Sequence, residues 1–267
     1  MNLARIREYL SALVLALVAI GLLAGGGFAL WWWHEQQPGS CNVASVKLYG
    51  DLVYEPNEIG LSGGSDQTVA SDVRLQIEQA DADPGIKAIL LDVDSPGGDP
   101  VAGEEVASAL LNASKPTVAL VGDVGASAAY WAMTGAETIF ASANSSVGDI
   151  GVTQSYLQQT QQNAKNGLQF VSLTAGEYKD MGNPNAPLTD AEKALIQRDL
   201  NITYHNFIAD VAANRNLSLD KVKALADGSS MLGEMAMQDG LIDKIGGIYD
   251  VEDYLQSKIH APAVICE

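Results

Sequence analysis

Two apolar strand patterns, each ending in a glycine-containing turn and leading into a helical pattern, constrain the fold of this chain most. The first covers residues 88–111, with the turn DSPGG at 94–98. The second covers 117–133, with a turn at 122–125 and a small-residue helix at 126–133. Apolar strands that alternate with helices are typical of a mostly parallel sheet covered on both faces. The sequence therefore predicts an α/β domain.

The flanking patterns extend this domain and contain no internal repeat. Residues 43–48 predict a further strand, and residues 69–80 predict a helix. Thr189 and Glu192 form a capping box, which predicts the start of a long amphipathic helix. The turn at 239–243 then leads into a short strand. We therefore expect a single folded domain.

The amino-terminal residues predict a membrane anchor. No residue from Tyr9 to Trp33 is charged, and these 25 residues are enough to cross a bilayer as a helix. Arg5 and Arg7 precede the span and tryptophans end it, as expected for a cytoplasmic amino terminus and an interfacial anchor. A cleaved secretory signal is the alternative, but the run is long and lacks a clear small-residue cleavage site. We expect a single-pass protein of the cell membrane, with its folded domain outside the cytoplasm.

These patterns divide the chain into four parts. Residues 1–35 hold the cytoplasmic start and the transmembrane anchor, and residues 36–42 form a polar linker. Residues 43–257 form the folded domain, which leaves 258–267 as a carboxyl-terminal tail.

Charge and cysteine content limit the partners. The chain has 33 acidic and 15 basic residues, and its formal charge of -18 repels nucleic-acid phosphates, so we expect no nucleic-acid partner. Cys41 and Cys266 have no neighbouring ligands for zinc, and we expect no metal. An oxidising compartment permits a disulfide between them, but the sequence leaves their pairing open.

Two residue types suggest nucleophilic catalysis. Ser127 follows a glycine turn at a helix start, where backbone NH groups favour a developing negative charge. Such a serine alone is more often a helix cap. The three histidines show no Ser-His-Asp spacing, so the remaining base for a serine is a lysine kept neutral by burial. Lys179 lies in a loop-like stretch and is a candidate, although a lone lysine is more often a surface residue.

A set of short motifs resembles the signal peptide peptidase A family. The motifs, in chain order, are DSPGG at 94–98, GASAAYW at 125–131, YKD at 178–180, DG at 227–228 and GLID at 240–243. The resemblance covers most of the chain after the predicted anchor, and Lys179 lies 52 positions after Ser127. It implies a half-length, membrane-anchored member with a Clp-protease/crotonase-like α/β spiral fold.

The resemblance also implies a chemistry and a substrate class. Ser127 would be the nucleophile and Lys179 the general base of a Ser-Lys dyad, and the NH groups of Gly98 and Ser127 would form the oxyanion hole. Gly97 would support that turn, and no cofactor would be needed. The family degrades cleaved signal peptides and other small hydrophobic or membrane peptides. Half-length members form dome-shaped homo-oligomeric rings, such as octamers, in which adjacent protomers can supply the serine and the lysine.

One position departs from the family pattern. Members usually have a serine after the glycine in the segment that spans residues 147–152, and that serine helps to orient the lysine. This chain has Asp149 there, so Asp149 and the nearby Ser145 and Ser146 are the candidates for orienting Lys179. A carboxylate close to Lys179 would favour the ammonium form and oppose a neutral base. A plain turn residue is the equal alternative for Asp149.

Three other functions are weighed against this interpretation. A related Ser-Lys membrane peptidase that processes a stomatin-like partner would use the same chemistry. A crotonase-type enzyme for acyl-thioesters would share the fold, but it has no use for a serine and lysine pair. A non-catalytic assembly scaffold is motivated by Asp149 alone.

Overall fold

Structure is described for residues 41–56 and 66–266 of this computed structural model. The predicted anchor, Tyr9–Trp33, lies outside these residues. None of the helices within the described ranges has the apolar length that a bilayer crossing requires. The elements below all belong to one unit, Asn42–Glu267.

The described residues form eight strands and eight helices. The strands are β1 (Val43–Val53), β2 (Gln67–Val69), β3 (Ala88–Gly98), β4 (Thr117–Ala126), β5 (Thr138–Ala141), β6 (Ser146–Gly148), β7 (Ser230–Leu232) and β8 (Lys244–Ile245). The helices are α1 (Ala70–Ala82), α2 (Pro100–Asn112), α3 (Ala128–Met133), α4 (Thr160–Lys165), α5 (Asp190–Asn214), α6 (Leu219–Leu225), α7 (Gly233–Asp239) and α8 (Ile248–Ile259). The predicted strand at 43–48 and the predicted helix at 69–80 are therefore confirmed.

The sheet is mostly parallel, as the alternation of strands and helices predicts. Its strand order is β2-β1-β3-β4-β5-β8, and every neighbouring pair in this order is parallel. Strand β6 adds to the end of β4 in parallel, and β7 pairs with β6 in the antiparallel direction. Parallel neighbours need crossover connections, which here run through helices such as α1 and α2.

Helices cover both faces of this sheet. Successive side chains of a strand point to opposite faces, so Ile89 and Leu91 of β3 enter the larger core cluster while Leu90 enters the smaller one. Helices α1, α2, α3 and α5 contribute to the larger cluster. Helix α8 covers the other face through Val251 and Leu255. This arrangement confirms the predicted α/β class.

The end of β4 differs from the prediction. The glycines at 122–125 were expected to form a turn before a helix at 126–133, but β4 continues to Ala126 and α3 begins at Ala128. The reason is tertiary, because β6 pairs with Val124 and Ala126 and keeps this stretch extended. Ser127 is the one residue left between strand and helix.

Helix α5 begins where the sequence predicts. The Thr189 side chain accepts a hydrogen bond from the NH of Glu192, and the Glu192 side chain accepts one from the NH of Thr189, so the capping box is present. Only the second half of the helix is buried, with Phe207 and Val211 in the core. The predicted apolar face therefore packs along half of its length within the described residues.

The carboxyl-terminal segment returns to the first strand. Helix α8 continues to Ile259, and the carbonyl of Val264 then accepts hydrogen bonds from the NH groups of Asn42 and Val43, at 2.8 and 3.0 Å. Cys41 and Cys266 are each disulfide-bonded. Residues expected to form a tail thus hydrogen-bond to the start of β1.

Candidate active site

Ser127 occupies a strained turn between β4 and α3. Its φ of 52° and ψ of -127° are rare for a residue with a side chain, and such a conformation costs about 1–3 kcal/mol. The surrounding structure holds it, because its NH donates to the carbonyl of Gly148 at 2.8 Å and its carbonyl accepts from Trp131 at 3.0 Å. Strain retained at a half-buried serine is typical of a functional position.

Gly97 and Gly98 lie against this turn and have to be glycines. Their φ values are 110° and 155°, and Gly97 donates its NH to the Ser95 side chain at 3.1 Å. A Cβ on Gly97 would lie 2.7 Å from the Cβ of Ser127, and one on Gly98 would lie 1.9 Å from the carbonyl oxygen of Leu52. The structure therefore brings together the two glycine turns that the sequence singled out.

The backbone NH groups near Ser127 differ in the partners that they already have. Gly98 lines the cavity beside Ser127, and the next NH along the chain, that of Asp99, donates to the carbonyl of Leu52 in β1 at 2.8 Å. The NH of Ser127 is already bonded to Gly148. Ala128 is the first residue of α3, so its NH has no intrahelical acceptor, and its nitrogen lies 2.9 Å from where a Gly97 Cβ would stand. Ala128 therefore offers an NH without an intrahelical acceptor near Ser127, and the oxyanion hole of Gly98 and Ser127 stays a prediction.

A cavity of about 1080 Å³ opens in front of these groups. Ser127, Gly97, Gly98 and Asp149 all line it. One wall is aromatic, since the ring of Trp131 stacks on Phe207 with centroids 4.6 Å apart and planes at 5°. Such a cavity can hold a peptide segment with apolar side chains against that wall.

The lysine of the predicted dyad lies elsewhere in the protomer. Lys179 is exposed, is not among the residues that line the cavity, and donates its backbone NH to Gly176 at 3.2 Å. It belongs to residues 156–188, which we call the lysine-bearing segment. Hydrogen bonds tie this segment to itself, for example from the Tyr156 hydroxyl to the carbonyl of Asn183 at 2.9 Å.

The lysine-orienting candidates occupy three different environments. Ser145 is buried, and its hydroxyl donates to the carbonyl of Gly122 at 2.5 Å. Ser146 lies in β6, paired with Val124. Neither serine lines the cavity in the part of the chain that the structure describes.

Asp149 is the candidate that faces the cavity. It directly follows Gly148, whose carbonyl holds the Ser127 NH, and its own NH donates to the carbonyl of Ser229 at 3.1 Å. Its φ of 53° is left-handed, a region that aspartate tolerates better than most residues. Partial burial raises the pKa of its carboxyl group, because desolvation disfavours the charged form.

The sequence did not identify the aromatic wall or the acidic rim of the cavity. Trp131 occurs within a recognised motif, and Phe207 was predicted to pack, but nothing in the sequence indicates that they stack on each other. Asp51 and Asp227 also line the cavity, from the end of β1 and from the loop before β7. Residues so far apart in sequence are joined only by the tertiary structure.

Comparison with known proteins identifies the family. The model of peptidase family S49 matches residues 109–261, and a Clp protease model matches residues 42–164. The chain belongs to peptidase family S49. This S49 chain is a serine peptidase, and its resemblance to signal peptide peptidase A is confirmed.

Two relatives and one solved structure support this assignment. A protein of Methanocaldococcus jannaschii, provisionally named as a protease, is 34% identical over 78% of this chain and 68% of its own length. A protein of Enterococcus faecium, provisionally named as signal peptide peptidase SppA, is 32% identical over 83% of this chain and 65% of its own length. The S49 chain thus spans about two thirds of each.

Comparison with a solved structure bears on the fold alone. A ClpP1 mutant from Listeria monocytogenes superposes with a TM-score of 0.50 at 15% identity, over 77% of this chain and 92% of that one. The expected Clp-protease-like α/β fold is therefore confirmed.

Proposed function

We propose that this S49 peptidase is a membrane-anchored endopeptidase that degrades cleaved signal peptides and other small hydrophobic or membrane peptides. One observation carries the proposal: Ser127 sits in a strained turn, against Gly97 and beside the NH of Ala128, at the wall of a cavity large enough for a peptide. The signal peptide peptidase name of the Enterococcus faecium relative supports the substrate class.

The chemistry follows from these groups. Ser127 Oγ attacks the peptide carbonyl and passes its proton to the neutral amine of Lys179. The NH groups of Gly98 and Ala128 donate to the oxyanion, and the leaving amine takes the proton back from Lys179. Water, activated by the same lysine, then hydrolyses the acyl-enzyme and restores Ser127.

We propose that Lys179 reaches this site from a neighbouring protomer in a homo-oligomeric ring. Within one protomer, Lys179 is exposed and lies outside the cavity lining. The lysine-bearing segment also exposes large apolar side chains, which is typical of a surface that another chain covers. They are Leu157, Leu168, Phe170, Val171, Leu173, Tyr178 and Met181.

The proposed membrane context rests on the uncharged span Tyr9–Trp33, which would anchor the chain with its peptidase domain outside the cytoplasm. Anchoring would bring the cavity close to peptides left in the membrane. Capture of membrane peptides by the full-length Ser127→Ala protein, identified by mass spectrometry, tests this. Recovery of one folded partner protein instead of short peptides would favour a processing peptidase.

A mixing experiment tests the dyad and its assembly together. Ser127→Ala and Lys179→Ala should each lower cleavage of a hydrophobic fluorogenic peptide by about 10⁴-fold or more, without loss of fold. If the lysine acts on a neighbour, subunit exchange between the two variants recovers part of the activity, because some sites then hold both residues. A serine and lysine from one chain would give no recovery. If Ser127→Ala cleaves the peptide at the wild-type rate, Ser127 is not the nucleophile.

A further inference from the structure

The described lining of the cavity that holds Ser127 contains acidic residues and no basic one. Asp51, Asp149 and Asp227 line it, and within the described residues no lysine, arginine or histidine does. The Asp227 carboxylate already has hydrogen-bond donors within the protein. It accepts bonds from the NH and the hydroxyl of Ser229, at 2.8 and 2.6 Å. An electropositive group entering this cavity would meet a field that attracts it.

Asp149 differs from Asp227 in having no such internal contacts. Its backbone NH bonds to Ser229, but within the described residues its carboxylate has neither a hydrogen-bond donor nor a cation. The group is nevertheless partly desolvated, which raises its pKa and makes its negative charge costly without a partner. Its backbone is left-handed, and the peptide group that precedes it is hydrogen-bonded through both its carbonyl and its NH.

The position of Asp149 relates it to the reaction centre. The carbonyl of Gly148 accepts a hydrogen bond from the NH of Ser127 at 2.8 Å. Asp149 is the next residue after Gly148, so its backbone lies beside the proposed nucleophile. Lys179 is a poor permanent partner for this carboxylate, since an ion pair would keep the lysine as an ammonium ion and prevent it from accepting a proton. The described lining of one protomer supplies no cation here, and a basic side chain of the bound peptide would supply one.

We infer that Asp149 is a specificity-determining residue that binds a lysine or arginine side chain next to the scissile bond of the substrate. This inference rests on the proposed peptidase function and makes its substrate class narrower. Apolar residues of the peptide would contact the wall formed by Trp131 and Phe207, while a cationic neighbour would pair with Asp149. Membrane-derived peptides that carry a basic residue beside an apolar run fit both features.

Matched peptides test the inference. The full-length protein cuts a fluorogenic apolar peptide, and mass spectrometry maps the cleaved bond. Lysine, acetyl-lysine or glutamate is then placed in turn at each peptide position that flanks this bond. At one position, kcat/KM should be about tenfold higher for lysine than for acetyl-lysine, and lowest for glutamate. Asp149→Asn should bring the lysine to acetyl-lysine ratio to within about twofold of one.

Two further variants complete the design. Asp149→Gly removes the side chain at the left-handed position without strain and should lose the same preference. Asp253→Asn makes the same change of net charge on α8, on the opposite face of the sheet, and should keep the wild-type ratio.

The outcomes separate this inference from the proposed function. Equal cleavage of lysine and acetyl-lysine peptides at every position overturns the role of Asp149 and leaves the peptidase intact. A shift of the pH profile in Asp149→Asn that is the same for all three peptides also overturns it, because the residue would then act on Lys179. If the wild-type protein cuts none of the peptides, the proposed function fails. Binding of the same peptides to Ser127→Ala, measured by fluorescence anisotropy, would still show whether Asp149 prefers a lysine side chain.

Discussion

The serine turn and the lysine-bearing segment are held in place in opposite ways. Ser127 donates its NH to the carbonyl of Gly148 and accepts the NH of Trp131 at its own carbonyl. Contact with Gly97 and a buried helix behind the turn also hold it in place. The lysine-bearing segment is mostly exposed, and Leu173 within it is 95% exposed. Because catalytic groups need placement to within about 1 Å, the proposed nucleophile is already positioned in one protomer, whereas the proposed base needs further contacts.

Glycine substitutions test how tightly the serine turn and the lysine-bearing segment are packed. Gly97→Ala should lower kcat by about 100-fold and the free energy of unfolding by about 2–4 kcal/mol, because the new Cβ would stand 2.7 Å from the Ser127 Cβ. Peptide cleavage and chemical denaturation measure the two effects.

Gly182→Ala is the matched control in the lysine-bearing segment. Its φ is 81°, but nothing lies within 4 Å of the new Cβ, so the free energy of unfolding should fall by only about 1 kcal/mol. Equal losses of stability in the two variants would show that the serine turn is no more tightly packed than the segment.

A second prediction concerns the exposed apolar side chains of the segment. Leu173→Asp should change the free energy of unfolding by less than about 0.5 kcal/mol, because the side chain is almost fully exposed. It should nevertheless reduce the mass of the assembly, measured by light scattering, and lower kcat/KM by about tenfold, because a neighbouring protomer would have to cover a charge. An unchanged assembly with unchanged activity would place the protomer contact elsewhere.

The smallest expected effect concerns the carboxyl group of Asp149, which should make the free energy of unfolding depend on pH. Burial raises the pKa of its carboxyl group, so the native state keeps the proton to a higher pH than the unfolded chain does. Its contribution to stability is therefore present at acid pH and lost as pH rises through the native pKa.

Asp149→Asn removes this dependence. Relative to wild type, the variant should gain stability between acid and neutral pH, as measured by urea denaturation across that range. Asp253→Asn controls for the change in net charge, and a variant of Asp149 that instead loses stability towards neutral pH would show that the carboxylate has a cationic partner.

Sequence patterns were sufficient for the sheet and its helices, because strand and helix periodicities reflect local burial that the final fold preserves. The strand at 43–48, the capping box of Thr189 and Glu192 and the parallel character of the sheet are examples. Prediction was less accurate at the end of β4, where the pairing with β6 extends a glycine stretch that would be a turn by itself. The hydrogen bond from the NH of Ser127 to the carbonyl of Gly148 also could not be predicted, because it joins residues that only the β4–β6 pairing brings together.

The sequence by itself determined the fold class, the family and the residues that could carry the chemistry, because glycine turns, apolar strands and motif order are local properties of the chain. Only the tertiary structure decided that Gly97 touches Ser127, that Trp131 stacks on Phe207, and that Asp149 faces the same cavity while Lys179 does not. These are contacts between residues far apart in sequence. They depend on the register of parallel strands and on helix packing, which no local pattern encodes.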